Sequence, residues 1–573
     1  MNRGHHCHLP YPRKIRLEDM VVLAVIAGSV APCLSGIALQ AQLPSTDPSI
    51  GSSQKDDSVF QTRSNSVMWD QDRWKPWVTD LTDNDVTHLT GYNAELGGRV
   101  RLTSADDVEP RKTPYGFMSP GDTLRWTVAV HESGLYRVAV MYHPGRDDNL
   151  GSRIIVTSAD STANCLVHAV KTGIWIGGTQ DRPSFKRDWL QSSLKLHAGS
   201  NSITLHVIPN ARQVELANLD MAHPVLGWPK RSLHVEGIEI VRNSVLPVME
   251  RDAQRLKSST DWMVQGKYGL FIHWVPESYP LFGTTPAWQR YQNAVDEFDV
   301  DAFAKMVSET GAAWVVFTTT HGKFYFPGPL HAMDQLLPGR TCKRDLIGEI
   351  ADALAKWHIR LMLYFHPGPG PSEDQDWAKV AGISPLDDQK NIRVMLRMYR
   401  EIGERYGNRL AGWFIDGGDA YYWRNFPFRD LTVDLKAGNP SRVITYFQWL
   451  FPTFSPYAGD FISDIVDFGA PFAPPFPQEW FLPGAPYAGL APQYNFTLED
   501  EWYPDKPMNG KWAPPIYPKE MLVDYFKSMA QAKWPLTINI VITQDVTADH
   551  PFVNPASLEE MVAVRKAVRA EFH

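Results

Sequence analysis

Eight apolar segments alternate with amphipathic ones in the second half of the chain, and this alternation limits the possible folds more than any other feature. The segments are YGLFIHW, AAWVVFTTTH, IRLMLYFH, LAGWFIDGG, RVITYFQW, DIVDFGAPF, PQYNFTLE and LTINIVIT. Helices are predicted at residues 300–310, 345–357, 388–406, 519–533 and 557–571. Eight strands with a helix after the last one predict a TIM (β/α)8 barrel over residues 246–573, with a doubly wound sheet as the competing α/β fold.

Residues 69–245 have a different pattern. TLRWTVAV, GLYRVAVMYH, SRIIVTSA and NSITLHVIP alternate or run apolar over five to eight residues, and clusters of Gly, Asn and Asp separate them. Short strands at this spacing predict a β-sandwich. The chain is therefore predicted to be multidomain, with an N-terminal β-sandwich followed by the barrel.

The first 42 residues are predicted to be a signal peptide. Arg13, Lys14 and Arg16 precede the apolar run MVVLAVIAGSV, and small residues follow up to Ala41. This order is typical of an export leader, and the run is too short to predict a transmembrane helix. We therefore expect a secreted or periplasmic protein without stable membrane insertion. Residues 43–68 are rich in Ser, Asp and Pro and predict a disordered tether.

Charge and cysteine content exclude several classes of function. The formal net charge is −8, which argues against nucleic acid or an anionic membrane as the main partner. Cys165 and Cys342 fall in different predicted domains, and no metal-ligand spacing accompanies them. Neither a cofactor nor a catalytic metal is expected. The 20 Trp and 21 Tyr residues supply flat rings of the kind that bind the apolar faces of sugars.

Polar and aromatic side chains stand where the predicted barrel strands end. The active site of a TIM barrel lies at the carboxyl ends of its strands. The residues there are His273, Trp274, His321, Tyr364, His366, Asp416, Glu501 and Trp502, and Glu479 lies in the loop after strand six. Two carboxylates among uncharged donors and stacking rings are what glycoside hydrolysis needs. Asp416 could instead begin a turn, since Asp-Gly is a common turn dipeptide.

The ordered set KYGLFIHW, GAAWVVFTTTH, KRDLIGEIADALAKWHIRLMLYFHP and GWFIDGG resembles the barrel of the α-L-fucosidases, glycoside hydrolase family 29. The resemblance covers residues 260–573. It implies that His273 and His321 bind hydroxyl groups of fucose and that Asp416 is the nucleophile of a retaining hydrolase. Such an enzyme would release fucose, or a related deoxy sugar, from an oligosaccharide or polysaccharide.

This sequence departs from the family's pattern in two places. Gly322 and Lys323 replace part of a motif that contains a His pair, so the substrate could instead be another deoxy or sulfated sugar, or a fucan. The family's acid/base Glu falls near Gln493, which cannot donate a proton. Glu501 or Glu479 could replace it, and Glu501 is favoured because it stands at a strand end. Without either, the protein would be a catalytically impaired carbohydrate-binding protein.

The N-terminal sandwich is similar to carbohydrate-binding modules. The segments that carry this resemblance are YNAELGG, GLYRVAVMY, LHAGSNSITLHVI and VEGIEIVR. It implies that Glu95 could help to hold a structural calcium ion. A sandwich that mediates interactions without a sugar site is the alternative.

Overall fold

The structure is a computed structural model of the 573-residue chain. It describes residues 78–82, 84–98, 100–102, 116–118, 121–144, 149–168, 186–211, 233–276, 286–321, 323–366, 374–383, 389–416, 425–446, 456–457, 459–465, 481, 489–504, 512–544 and 553–571. The predicted signal peptide and tether lie outside these residues, as does Glu479. Among the helices that the structure describes, none has the length and apolar character to cross a membrane.

Two β-sheets form the N-terminal domain. One contains β1 (Val78–Asp80), β6 (Thr123–Val130), β12 (Gly199–Ile208), β8 (Arg153–Thr157) and β9 (Thr162–Leu166) in that order, with β3 (Glu95–Gly97) paired to β6. The other contains β10 (Lys186–Trp189), β7 (Gly134–His143), β13 (Leu233–Arg242), β5 (Gly116–Met118) and β4 (Arg101–Leu102), with β11 (Leu194–Leu196) on β7 and β2 (Thr87–Thr90) on β13. All pairings are antiparallel except β1 with β6.

The inner faces of the two sheets share one apolar core. Alternate residues of TLRWTVAV point inward, so that Leu124, Trp126 and Val128 are completely buried. The Trp126 indole also donates a hydrogen bond to the Thr90 carbonyl at 2.7 Å, which joins the two sheets. The period-two pattern that predicts these strands therefore also identifies their buried face.

Eight parallel strands form the second domain. They are β14 (Tyr268–Ile272), β15 (Trp314–Thr320), β16 (Arg360–Phe365), β17 (Leu410–Ile415), β18 (Val443–Tyr446), β19 (Phe461–Ile465), β20 (Ala491–Thr497) and β21 (Leu536–Asn539). Neighbouring strands follow the order β18-β17-β16-β15-β14-β21-β20-β19. Helices surround them at Leu246–Leu256, Asp261–Gly266, Ala287–Glu297, Val300–Thr310, His331–Asp334, Leu346–Ala355, Gln375–Ala381, Gln389–Tyr406, Phe428–Leu435, Lys519–Gln531 and Pro555–Glu571.

Asp460 joins the first and last strands of this sheet. Its backbone N–H donates to the Ile444 carbonyl at 2.8 Å, and its carboxylate accepts the Ile444 N–H at 2.9 Å. The buried ammonium of Lys436 lies 3.0 Å from the same carboxylate and neutralises it. The backbone and side chain of one residue therefore close the barrel where β18 and β19 do not form a ladder. The predicted fold, a β-sandwich followed by a TIM barrel, is confirmed.

The barrel interior has an apolar half and a polar half. Phe271, Trp314, Met362, Tyr364 and Phe414 belong to a single buried cluster on β14 to β17. Gly269 is needed beside this cluster, because a Cβ atom there would lie 2.3 Å from the Trp314 indole nitrogen.

Hydrogen bonds fill the opposite half of the interior. Gln493 donates to Thr537 at 2.5 Å and also bonds Ser463, which accepts from Asn495 at 2.9 Å. The indole of Trp314 donates to Thr537 at 3.2 Å and connects the two halves. Buried polar groups need such partners, so this half has a defined network.

The sandwich packs directly on the barrel. Asn425, with φ at +53°, accepts the backbone N–H of His88 at 2.6 Å and donates to its carbonyl at 3.0 Å. Asp85 accepts the backbone N–H of Arg429 at 3.2 Å. Met141 and Val241 on the outer face of β7 and β13 join the apolar cluster of the barrel. One face of the sandwich thus contributes to the barrel core. The predicted domain boundary at residues 245 and 246 stays a prediction.

Candidate active site

Three aromatic side chains meet where β14, β15 and β16 end. His273 and His321 each follow the last residue of their strand, and Tyr364 is the penultimate residue of β16. The Tyr364 ring lies 5.3 Å from the His273 ring and 6.0 Å from the His321 ring, centroid to centroid. Because parallel strands bring their carboxyl ends to one rim, residues separated by up to about 90 positions become neighbours.

Asp416 joins this group from the next strand. Its backbone N–H donates to the Phe365 carbonyl at 3.1 Å, so that the pairing of β17 with β16 continues one residue past the strand. The Tyr364 hydroxyl donates to the Asp416 Oδ2 atom at 2.6 Å. A charge-assisted bond of this length holds the carboxylate in one orientation at the rim. Phe414 stacks on the Tyr364 ring, with centroids 6.0 Å apart and planes 13° apart.

His273 is held by an amide that the sequence analysis did not single out. Its Nδ1 atom lies 2.8 Å from the Oδ1 atom of Asn539, the last residue of β21. The Asn539 Nδ2 atom donates to the Trp502 carbonyl at 3.0 Å. Burial, followed by the nearby imidazole of His321, lowers the pKa of His273 to about 3, although the bond to Asn539 acts in the opposite direction. His273 is therefore neutral throughout the physiological range.

Aromatic rings form the wall of the site around the two histidines. The Trp502 ring lies 4.9 Å from His273, and the Tyr503 ring lies 5.5 Å from His321. Phe271 stacks against His273 at 4.3 Å with an interplanar angle of 17°. His366 is 1% exposed, and its ring centroid lies 6.5 Å from that of His321. Five of the predicted residues, His273, His321, Tyr364, Asp416 and Trp502, therefore lie together, with His366 behind them.

Trp274 is not part of this group. Side chains alternate along a strand, so the residue after His273 points away from the barrel interior. The Trp274 ring instead packs 5.3 Å from Tyr291 and 5.5 Å from Phe317, and its indole N–H donates to Gln544 at 2.7 Å. It is 1% exposed in the layer between the barrel and its helices. The structure corrects the predicted sugar-binding role of Trp274 to a packing role.

The loop that carries His321 is fixed by a buried ion pair. Asp374 is 1% exposed and accepts two hydrogen bonds from Arg340, at 2.6 and 3.2 Å. The same carboxylate accepts the backbone N–H of Phe324 at 3.1 Å, three residues after His321. The guanidinium stacks on Tyr325 at 4.9 Å. These contacts tie the loops after β15 and β16 together and support the position of His321.

Of the two predicted proton donors, Glu501 lies within the described residues. Glu501 is half-buried and precedes Trp502, which contacts His273. Glu479 lies outside the described residues. Gln493 is the third residue of β20, 2% exposed, and engaged in the polar half of the interior. Gln493 therefore stands well below the carboxyl end of its strand, away from the rim where a proton donor acts.

Glu499 is a third carboxyl group near the end of β20, and it is buried within the protein instead of lining the site. It is 1% exposed, and its Oε2 atom accepts the Val541 N–H at 3.1 Å. Burial raises the pKa of Glu499 to about 8, and the charge of Glu501 contributes in the same direction. The side chain is consequently protonated at neutral pH and packed against the backbone that follows β21.

Glu499 should make the protein less stable as the pH rises. The unfolded chain releases this proton near pH 4.5, whereas the folded protein keeps it up to about pH 8. The stabilisation is therefore fully present below pH 4.5 and is lost progressively as the pH approaches 8. In Glu499→Gln, which imitates the protonated form, the free energy of unfolding should not decline through this window. Urea unfolding at several pH values measures the difference, with the exposed Glu404→Gln as control. Parallel pH profiles for parent and Glu499→Gln would contradict the assignment.

No group of described histidine, cysteine and acidic residues is arranged to hold a metal ion. Glu95, for which the sequence predicts a possible calcium role, is exposed on β3, and its carboxylate lies 3.5 Å from the guanidinium of Arg125. The calcium site stays a prediction.

The middle of the barrel matches a known protein family. Residues 291–438 match the family model described as alpha-L-fucosidase. Tissue alpha-L-fucosidase of Bos taurus is 28% identical, over 18% of this chain and 30% of the relative. A putative alpha-L-fucosidase of Caenorhabditis elegans is 27% identical, over 18% of this chain and 28% of the relative. The chain thus spans about a third of the length of these curated relatives.

Solved structures of α-L-fucosidases are also similar to this chain. The enzyme of Lactobacillus casei bound to its α-L-fucose product is 16% identical, over 56% of this chain and 99% of that one, with a TM-score of 0.37. A family 29 enzyme of Bacteroides thetaiotaomicron is 14% identical, over 54% and 74%, with a TM-score of 0.38.

The segment that matches the family model contains β15, β16 and β17 with the residues that end them. His321, Tyr364, His366 and Asp416 all belong to it. His273, Glu501 and Asn539 lie outside it. The predicted resemblance to the α-L-fucosidases is therefore confirmed over residues 291–438, which match the model of that family.

Proposed function

We propose that this protein is an exported, retaining glycoside hydrolase that releases α-linked L-fucose, or a related deoxy sugar, from glycans. The observation that carries the proposal is the position of Asp416, at the end of β17 with its Oδ2 atom 2.6 Å from the Tyr364 hydroxyl. The neutral ring of His273 and the ring of His321 border the same rim. The family match over residues 291–438 supports the choice of sugar, and the basic and apolar leader supports export.

The reaction follows from two carboxyl groups with different tasks. The Asp416 carboxylate attacks the anomeric carbon while the bond to the leaving oxygen breaks, and Glu501 gives its proton to that oxygen. The Glu501 carboxylate then takes a proton from water, whose oxygen attacks the anomeric carbon and displaces Asp416. Two inversions retain the anomeric configuration. Tyr364 holds the nucleophile, and the imidazoles and Trp502 hold the sugar.

Turnover of 4-nitrophenyl α-L-fucoside by the purified full-length chain tests the proposal. We expect hydrolysis with release of α-L-fucose as the first product, observed by proton NMR before mutarotation. The 4-nitrophenyl α-L-rhamnoside and β-D-galactoside serve as matched substrates and should react at least about 100-fold more slowly, because the polar groups of the site would be left unpaired. Absence of turnover would favour the carbohydrate-binding alternative, and initial release of β-L-fucose would overturn the retaining mechanism.

A sulfated sugar is the second candidate substrate. Lys323 follows His321 by two residues, at a point where the sequence departs from the family's motif, and it is half-buried. An ammonium group beside the sugar would favour an anionic substituent. Sulfated and unsulfated aryl α-L-fucosides compared at low and high ionic strength distinguish the two substrates, because attraction to a sulfate weakens with salt.

A further inference from the structure

Asn539 connects two walls of the site that come from distant parts of the chain. It accepts from the imidazole of His273, 266 positions earlier, and donates to the carbonyl of Trp502. It is completely buried at the end of β21. Asn539 lies outside the family segment at residues 291–438 and is not among the strand-end residues that the sequence predicts for the site. The donor and acceptor atoms of this amide determine which nitrogen of His273 is protonated.

The orientation of the Asn539 amide is determined by its second partner. A backbone carbonyl only accepts hydrogen bonds, so the atom that lies 3.0 Å from the Trp502 oxygen must be the Asn539 NH2 group. The oxygen of the same amide consequently faces His273. Because this oxygen also only accepts, the His273 Nδ1 atom, 2.8 Å away, must carry a proton.

His273 can carry only one proton in this environment. Its ring is enclosed by Phe271 at 4.3 Å, Trp502 at 4.9 Å and Tyr364 at 5.3 Å. None of these rings supplies a negative charge that would balance an imidazolium ion, and burial holds the pKa of His273 near 3. With the proton on Nδ1, the Nε2 atom has an unshared electron pair. Nε2 makes no hydrogen bond to the residues that the structure describes, while 8% of the residue stays exposed.

We propose that Asn539 is a positioning residue that fixes the tautomer of His273, so that Nε2 faces the pocket as an acceptor for one hydroxyl group of the sugar. This inference rests on the proposed glycosidase function for its ligand, but the tautomer itself does not depend on turnover. A sugar position that carries a hydroxyl would be favoured there. A fluorine, a methyl ether or a sulfate ester has no proton to donate and would be discriminated against.

The bond to Trp502 adds a second consequence. The same amide that orients His273 also holds the backbone next to Glu501, the proposed proton donor. A change at Asn539 should therefore affect the binding of one hydroxyl group and the position of the acid/base loop together. If Asn539 only filled space at the end of β21, its replacement would not selectively change the binding of that hydroxyl group or the position of the acid/base loop.

The tautomer is tested directly on the full-length parent protein. In a sample labelled with 15N at histidine, two-bond proton–nitrogen correlations show which ring nitrogen is protonated, and the spectrum of His273→Gln assigns the signal. We expect a protonated Nδ1 and an unprotonated Nε2. A proton on Nε2, or on both nitrogens at neutral pH, overturns the proposal. This result is obtained whether or not any glycoside is hydrolysed, so its failure is distinct from failure of the proposed function.

Substrate discrimination provides the second readout. Each monodeoxyfluoro analogue of an aryl α-L-fucoside is compared with the parent sugar. The analogue that lacks the hydroxyl group bound by His273 should have a kcat/KM roughly 10- to 100-fold lower, and we call this ratio the fluorine penalty. In Asn539→Leu, which removes both hydrogen bonds at similar volume, this penalty should shrink to within about threefold. Unchanged discrimination in Asn539→Leu would overturn the proposal.

Asn495→Leu is the matched control. Asn495 is also a buried asparagine of the barrel interior, on the neighbouring strand β20, and it donates to Ser463 at 2.9 Å without a contact to His273. Its replacement should lower thermal stability as much as that of Asn539 but leave the fluorine penalty and the His273 signal unchanged. Equal loss of the fluorine penalty in both leucine variants would show that Asn539 has only a general packing role.

Discussion

Asp416→Gly is expected to lower kcat for an aryl α-L-fucoside by roughly three to five orders of magnitude, because the covalent step loses its nucleophile. The protein should still fold, since Asp416 is half-buried and follows the last residue of β17. Affinity for fucose should persist, because His273 and His321 are unchanged. Steady-state kinetics with calorimetric fucose binding measure both quantities. The exposed Asp376→Gly, at the start of a surface helix, is the control for a glycine introduced at an aspartate.

Azide makes the test specific for a nucleophile. In Asp416→Gly the small anion can occupy the vacated space and attack the anomeric carbon directly, so the product should be β-L-fucosyl azide with inverted configuration. No such product is expected from the parent or from Asp376→Gly. If Asp416→Gly retained a rate within about tenfold of the parent, a loss of only ~1.4 kcal/mol, Asp416 would be a turn residue and the proposed mechanism would be wrong.

Capping residues fix both ends of one barrel helix that the sequence predicts. The helix Val300–Thr310 has the predicted bounds because Asp299 accepts the Ala302 N–H at its start and Gly311, with φ at +74°, ends it. The sixth strand was predicted at residues 464–472, whereas β19 is Phe461–Ile465. Ser463 explains this difference. It faces the polar half of the interior and bonds Gln493, so an apolar pattern does not mark this strand.

The alternation of side chains along a strand distinguishes two of the predicted site residues. His273 and Trp274 are adjacent, and adjacent residues of a strand face opposite sides, so only one of them can reach the pocket. Asn539 is a different case. An asparagine within the apolar run LTINIVIT looks like an interruption, and its partner His273 lies 266 positions away. No local pattern connects the two, and the parallel pairing of β14 with β21 brings them together.

The contact between sandwich and barrel is likewise a product of the tertiary fold. The outer face of β13 carries Glu239 and Val241, both buried, although a sandwich standing alone would expose that face. Their burial follows from the packing of this sheet on the barrel, where Asn425 bonds the backbone of His88. The sequence change near residue 245 predicted two architectures but contained no signal for the surface that joins them.

Glu501→Ala is expected to separate substrates by their leaving groups. With a poor leaving group, such as a sugar hydroxyl in a natural disaccharide, proton donation is essential and the rate should fall by roughly 100- to 10,000-fold. With 2,4-dinitrophenol, which leaves without a proton, formation of the glycosyl-enzyme should change by less than about tenfold. The neighbouring Asp500→Ala is the matched control, because that carboxylate is exposed to solvent and should affect neither substrate.

The stereochemistry of azide rescue then assigns the two carboxyl groups independently. In Glu501→Ala the nucleophile is intact, so azide should attack the glycosyl-enzyme and give α-L-fucosyl azide with retained configuration, the opposite anomer from Asp416→Gly. The position of Glu501 beside Trp502, whose carbonyl is bound by the amide that holds His273, is the structural reason for choosing it. If Glu479→Ala showed the leaving-group pattern and Glu501→Ala did not, the proton donor would be Glu479, and Glu501 would serve only to support the wall that carries Trp502.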